Sequence, residues 1–463
     1  MRPRQPMASQ GRHYRKILRI SLPLMATMGA TVVMEFTDRM FLAGYGVDAI
    51  SAAMPAGLLA FLFITLAAGM VGYVSVFIAQ YAGAGRTGRI GAYLWQAVWL
   101  ALGTGLALAG LSFIGPPLFA LADHPAPVQA LENIYFSTLL RGAIIHVLGS
   151  ALAGFFTGLG LTRPVMISHA AGTAVNIPLD YCLIYGIGPF AELGIFGAAL
   201  ATVTAWAVTT LMLTLAVFSR TNDRIYRVRR SRRLRPDLIR ELLKHGVPAA
   251  LQMTLDLVAF SFFVLMVGRI DRHALAVTNI VLSINSLAFM PMLGVSMGTS
   301  TLVGQAMGRG NPALAEAFTR QTLHLVYIYL AVVALLFLAL PGMLLSWFRP
   351  PDLTLPEFAR LRHDGIWLLR LVTGYIFCDA QYMIYVGALK GAGDTHFVGR
   401  TVGLLSILVM GVPLGFGISI FGWGLFEAWG CATLFIFSLF FVFRQRFRTG
   451  RWRSMRLVAA KNG

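Results

Sequence analysis

The feature that most constrains this chain is its series of apolar runs, many of twenty residues or more, parted only by short stretches of glycine, proline and charge. A helix needs ~20 apolar residues to cross the hydrocarbon core of a bilayer. Within that core each backbone polar group must be paired inside the protein, which restricts spanning segments to helices and closed barrels. Runs of this length are helices. Of the 463 residues, 57% are hydrophobic and only 12% charged, about half the ~25% charge of a soluble domain. No soluble core could hide so many runs, so soluble enzymes, secreted modules and disordered scaffolds are excluded. The chain reads as an all-α integral membrane protein.

The runs place spans at about 17–40, 50–80, 91–120, 131–160, 164–186 and 194–218, then at about 242–268, 274–306, 315–346, 364–390, 397–418 and 422–443. Twelve spans therefore divide into a six-helix lobe over residues 1–219, a basic linker over 220–240, and a second six-helix lobe with a basic tail over 241–463. An even count puts both termini on one side. The net charge is +19, and 22 of the 38 basic residues lie in three clusters. One precedes the first span (Arg2, Arg4, Arg12, Arg15, Lys16, Arg19), one fills the linker (including Arg227, Arg229, Arg230, Arg232 and Arg233), and one forms the tail (Arg444 to Lys461). Only Asp223 and Asp237 lie among them. Basic clusters flanking spans mark cytoplasmic segments, so the charge reads as topogenic, not as a nucleic-acid surface, and both termini are expected in the cytoplasm of a multi-pass inner-membrane protein. The first run starts late and lacks a small-residue cleavage site, and so reads as an uncleaved span. Cys182, Cys378 and Cys431 lie in apolar runs without CxxC spacing, which suggests neither a disulfide framework nor a metal site.

The two halves repeat. At an offset of 225, Arg15 meets Arg240, Pro23 meets Pro248, Gly69 meets Gly294, Ser75 meets Ser300, Gln80 meets Gln305, Gly83 meets Gly308 and Gly85 meets Gly310. Later, at an offset of 233, Gly158, Gly160 and Thr162 align with Gly391, Gly393 and Thr395. Six spans per half is an even number, so this is a parallel repeat: two lobes related by a pseudo-two-fold axis along the membrane normal, with a central cleft. Such a frame suits alternating access.

Ionisable groups inside a bilayer are costly and therefore informative. Five acids lie well inside spans: Glu35, Asp38, Asp180, Asp256 and Asp379, with Glu427 a shallower sixth. Carboxylates in a low-dielectric cleft can take up a proton, or several oxygens together can hold a small hard cation. Glu35 is the weakest case, because Arg39 one turn on favours an ion pair. Asn176 and Asp180 share a helix face at i, i+4, and with Asp38 they offer several oxygens to H+ or Na+, with Thr202 a fourth partner. Asp256 and Asp379 occupy repeat positions that hold Thr31 and His146 in the first half. His146 reads either as proton-active or as a satisfied packing histidine.

Motifs of soluble enzymes carry no weight in this setting. The segment Gly83–Gly88 fits GxGxxG but follows a membrane helix, not a strand. The segment Gly294–Gly298 fits GxSxG but lies inside an apolar helix, where small residues serve helix contact. No phosphate-binding loop and no HExxH is present, so no resident cofactor or metal is expected and an enzyme is not supported. Aromatic rings and the 20 methionines can present π faces and soft sulfur to flat organic cations.

These features together resemble the multidrug and toxic compound extrusion (MATE) family over nearly the whole chain. The resemblance rests on Pro23 followed by Asp38 in TDRMFLAG, on IAQYAGAGR closing the second span, and on NIPLDYCLIYG in the fifth. It rests also on VGQAMGRGN closing the eighth and DAQYMIYVGALKGAGDT through the tenth. It implies a twelve-helix, two-lobed antiporter that exports organic compounds, often cationic, against inward H+ or Na+. By this resemblance Asp38 matches the family's essential first-span acid, and Asn176 and Asp180 match the cation site of its DinF-like branch. Asp256 and Asp379 fall where the NorM-like branch keeps its cation-binding acids. Holding both sets departs from either branch, and Arg39 departs as well: its charge either tunes Asp38 or neutralises Glu35.

The expectation is a secondary antiporter, monomeric, in which Asp38, Asn176 and Asp180 take up H+ or Na+ and Asp256 and Asp379 add a second site. The alternative within transport is a flippase for a lipid-linked saccharide, which needs a basic cleft; Arg141 and Arg370 are its candidates. A membrane-embedded enzyme or a channel would need a catalytic set or a filter, and neither is evident.

Overall fold

The computed structural model describes residues 7–120, 124–348, 355–455 and 457–458. Arg2, Arg4, Arg456 and Lys461 of the basic clusters lie outside the described residues. Twelve long helical units follow one another. In the first half of the chain they are α1 (Met7–Tyr45), α2 (Val47–Gly83), α3 (Thr87–Ala120), α4 (Ala126–Leu159), α5 (Arg163–Tyr185) and α6 (Gly194–Val217). In the second half they are α7 (Pro236–Gly268), α8 (Arg272–Gly308), α9 (Pro312–Ala339), α10 (Leu355–Ala392), α11 (Thr395–Ser419) and α12 (Leu425–Thr449). No strand occurs among the described residues.

Nine of these units are long and apolar enough to cross a membrane, and α8, bent near its middle, makes a tenth. The bend falls where the Pro291 ring displaces the carbonyl four residues earlier. The two remaining helices, α5 and α10, are more polar, and they carry Asn176, Asp180 and Asp379. Outward faces such as Leu215, Ile328 and Leu335 are exposed; this surface calls for lipid as solvent.

Helix boundaries follow local chemistry. Asp271 caps α8 by accepting from Ala274 N at 2.6 Å, and Asn311 caps α9 by accepting from Leu314 N at 2.9 Å. Gly160 and Gly186 close α4 and α5 in the left-handed region, at φ 74° and 68°. The expected spans agree with these helices to within a few residues at most ends, but α1 starts some ten residues earlier than its apolar run. The turn from His13 to Lys16 packs on the other half, with the His13 ring on Phe318 and Lys16 donating to Gln305.

That packing is reciprocal. Ile17, Ile20 and Leu24 of α1 are buried in the hydrophobic cluster formed by α7–α12. Leu238, Leu242 and Ala249 of α7 are buried in the cluster formed by α2–α6. Residues 17 and 242, and 24 and 249, are repeat equivalents at the offset of 225, so each half lends the start of its first helix to the other.

The start of α1, the linker and the ends of α2, α4, α6, α8, α10 and α12 lie on one face of the molecule, called here the basic face. Among the described residues, every hydrogen bond between the halves lies near it. Gln80 Nε2 donates to Gly391 O at 3.0 Å, and Gln305 Nε2 donates to Gly158 O at 3.1 Å. Tyr73 donates to Lys390 O at 2.8 Å and Lys16 to Gln305 Oε1 at 3.0 Å. Gly83 and Gly308 permit the joint: a Cβ on Gly83 would run into the backbone of Gln305, and one on Gly308 into that of Gln80. The two halves therefore meet at the basic face, and no described hydrogen bond ties them nearer the far face.

Candidate functional site

Asp38 lies in the far-face part of α1. Its side chain is buried, and Tyr135 of α4 donates to its Oδ2 at 3.1 Å. Asn176 and Asp180 of α5 are fully buried, one turn apart on the face that meets α1. The carboxyl groups of Asp38 and Asp180 are near enough to interact electrostatically, with no described hydrogen bond between them. Two ionised carboxylates this near one another repel, so the arrangement favours a shared proton or a cation. Asp38 Oδ1, both oxygens of Asp180 and both polar atoms of the Asn176 amide have no hydrogen-bond partner among the described residues. Buried polar atoms are normally paired. Five unpaired atoms in one cluster, four of them oxygens, form a donor set suited to a proton shared between carboxylates or to a small hard cation.

The remaining candidates of the first half are elsewhere. Thr202 is half-buried on α6 and makes no described hydrogen bond to this cluster. Glu35 pairs with Arg39 at 3.9 Å, both side chains about half exposed at 44% and 58%; such a pair is weak. His146 packs its ring on Trp206 at 4.8 Å between centroids, which is the packing arrangement.

In the second half, Asp256 of α7 accepts from Tyr382 of α10 at 2.9 Å and from Gln252 one turn earlier. Asp379, three residues before Tyr382, lies within electrostatic reach of Asp256, and Lys390 reaches the same carboxylate field. Asp256 is thus served by two donors, whereas no described hydrogen bond reaches Asp379. Glu427 accepts from Gly424 N at 3.0 Å at the start of α12, a helix-capping role. Arg141 is exposed, with its guanidinium over Phe113 at 5.6 Å and its Nε on Ser112 at 3.3 Å. Arg370 is exposed over Trp367 at 4.8 Å. Both run along the protein surface toward the far face, as long cationic side chains do in lipid.

Four participants are not singled out by the sequence: Tyr135, Gln252, Tyr382 and Lys390. Tyr135 is one of 14 tyrosines and nothing in its local pattern marks it. Gln252 carries a weak signal, one turn before Asp256, and Lys390 stands in the GALKGAGDT stretch that closes α10.

The family model MatE matches residues 23–182 and 248–416. The matched segments begin at Pro23 and Pro248, the pair that the repeat aligns. The chain belongs to the MATE family. A probable multidrug resistance protein NorM of Bradyrhizobium diazoefficiens is 30% identical over 392 residues, 82% of this chain and 81% of the relative. One of the same name from Pseudomonas putida is 29% identical over 462 residues, covering 96% and 95%. Among solved structures, a transporter of the MOP superfamily from Pyrococcus furiosus superposes with a TM-score of 0.86 at 20% identity, covering 96% of this chain and 97% of that one. A MATE protein in a bent conformation superposes with a TM-score of 0.82 at 21% identity, covering 95% and 96%. Those likenesses establish the MATE fold, and members of this family are membrane transporters, not enzymes.

Proposed function

We propose that this MATE transporter is a secondary antiporter that exports organic, mainly cationic compounds across the bacterial inner membrane in exchange for inward H+ or Na+. The observation that carries the reading is the Asp38–Asn176–Asp180 cluster, with its five unpaired buried polar atoms. The NorM names of the relatives support multidrug compounds as the substrate class. The positive-inside rule assigns the basic face to the cytoplasm; closure at that face then makes this an outward-facing arrangement. The lobes 1–219 and 241–463, joined by the linker 220–240, are the units that rock, in a transporter that works as a monomer.

In the outward-facing state Asp38, Asn176 and Asp180 take up the coupling ion. Neutralising the carboxylates weakens their attraction for a bound organic cation, which leaves to the outside. The lobes then rock, the ion departs inward, and the freed carboxylates attract the next substrate. Each coupling charge moving down the membrane potential supplies about 2.3 kcal/mol per 100 mV. Asp256 and Asp379, with Tyr382 and Gln252 around them, form the second acidic site, which serves substrate or ion in the other lobe. The flippase reading needs a basic cleft, and the exposed positions of Arg141 and Arg370 weigh against it.

The test uses purified protein in liposomes loaded with ethidium, with pH and Na+ gradients imposed separately. Dye movement driven by one gradient and lost in Asp38→Asn, with the variant still folded, is the expected result and identifies the ion. Full transport by Asp38→Asn would overturn the assignment of Asp38. No movement under either gradient would overturn antiport of organic cations and turn attention to lipid-linked saccharides.

A further inference from the structure

The linker between the halves is not a loose tether. Ser219 caps a short helix, Arg220–Tyr226, by accepting from Asn222 N. Asp223 then accepts from Arg229 N at 2.7 Å, and the Arg229 guanidinium donates to Phe218 O at 2.7 Å. Val228 is fully buried in the first half's hydrophobic cluster. From there one turn of α3 pins the backbone. Trp95 Nε1 donates to Val228 O at 2.6 Å, Trp99 Nε1 to Arg232 O at 3.1 Å and Gln96 Nε2 to Arg233 O at 3.1 Å, while Gln96 Oε1 accepts from Arg235 N at 2.8 Å. Gly91 lies under the same strap, where a Cβ would meet Tyr226 O at 2.6 Å and Arg227 O at 2.9 Å.

With its backbone turned inward, the strap holds its cationic side chains out. Arg224, Arg227, Arg230, Arg232, Arg233 and Arg235 are all exposed. None of the six makes a described ion pair with a carboxylate. Asp223 is taken up by the strap's own backbone, which leaves Asp237 as the one other acid of the segment. The depth of the strap is fixed by tryptophan: Trp99 is partly exposed on the lipid-facing side of α3, and indoles of that kind sit at the headgroup level of a bilayer. A row of guanidiniums without carboxylate partners, that of Arg232 lying over the Trp95 ring at 5.9 Å, on a fixed backbone at headgroup depth is complementary to phosphate anions arrayed in a plane.

We infer that this arginine strap is a binding surface for anionic phospholipid headgroups. Orientation during insertion requires only the charges, in any conformation. It does not require two indoles and an amide to fix the chain that carries them. Headgroup recognition does, because a preordered set of guanidiniums loses little freedom on binding.

The experiment uses the full-length protein in phosphatidylcholine vesicles containing either dibrominated phosphatidylcholine or dibrominated phosphatidylglycerol, with quenching of tryptophan fluorescence as the readout. Trp95 and Trp99 lie at the strap and report lipid held there. The expected result is stronger quenching by phosphatidylglycerol, a preference that falls with added salt. Removing three guanidiniums in Arg230→Gln/Arg232→Gln/Arg233→Gln is expected to lower relative affinity on the order of a hundred-fold, at about five-fold per arginine. Equal quenching by the two lipids in the unaltered protein would overturn the inference. So would a preference that the triple variant retains, which would place the site on the other basic clusters. Should the triple variant not fold, Arg230→Gln and Arg233→Gln taken singly decide the matter: each is expected to weaken the preference several-fold, and no change in either would overturn the assignment.

Discussion

The crossed amides at the basic face lead to a sharp prediction. Gln80 reaches from the first half to Gly391 O, and Gln305 reaches from the second half to Gly158 O. Each side chain also accepts a bond, Gln80 from Leu457 N and Gln305 from Lys16 Nζ, both at 3.0 Å. Gln80→Ala/Gln305→Ala removes these four bonds. At about 0.5–1.5 kcal/mol each the closed arrangement loses about 2–6 kcal/mol relative to one in which the halves have parted and water serves both sides. Since about 1.4 kcal/mol is a tenfold ratio, the closed-to-open population falls by at least thirty-fold or so. The assay is a distance distribution from paired spin labels at Arg89→Cys and Arg400→Cys, one exposed site near the basic face in each half. The background lacks the native cysteines Cys182, Cys378 and Cys431. The parent is expected to show one short distance and the double variant a second, longer population. A distribution unchanged by the double substitution would refute the reasoning that these amides hold the face shut.

Other predictions are independent of that one. Gly83→Val places a side chain where the Gln305 backbone passes; it is expected to abolish transport through inability to close the basic face, with the same spin labels showing only the long distance. Tyr135→Phe removes the donor to Asp38 Oδ2 and is expected to change apparent affinity for the coupling ion by up to about tenfold, read from the ion dependence of dye transport, while transport persists. Arg446 donates in bidentate fashion to the buried Asp394, at 2.8 and 3.2 Å. Arg446→Ala leaves that carboxylate without its cation, and a loss of about 3–5 kcal/mol is expected to appear as a clearly lowered melting temperature in detergent.

Much of this architecture is legible in the sequence because lipid is a strict solvent. The twelve runs, the basic clusters and the costly intramembrane acids all stand out against an apolar background. The repeat was legible too, and its most persistent matches, Gln80 with Gln305, Gly83 with Gly308 and Gly158 with Gly391, turn out to be the residues that join the halves. Side-chain pairing was less visible. Asn176 and Asp180 could be placed on one face from their spacing alone, but Tyr135 approaches Asp38 across 97 residues, and no local period encodes that approach. Thr202 qualifies by chemistry and by span, yet no described hydrogen bond joins it to the carboxylates. The exchange of α1 and α7 between hydrophobic clusters was hidden for a similar reason. Helices apolar on most sides do not reveal which face meets which neighbour.

The contact between Gln80 and Leu457 spans 377 residues, and this bears on how the protein is made. Helices α1 to α6 can insert and pack early, but the cluster that buries Ile17, Ile20 and Leu24 is incomplete until α8 and α10 arrive, and Gln80 must wait for the last helix to be followed by its tail. At about 5–20 residues per second, Gln80 waits roughly 20 to 75 seconds for Leu457, and the first half is left meanwhile with an unfinished edge. During that interval its exposed glycine-lined surface is open to other nascent or membrane-resident helices. Assembly of this protein therefore ends with a clasp between residues made early and residues made late, and errors of insertion late in the chain would be felt in its first half.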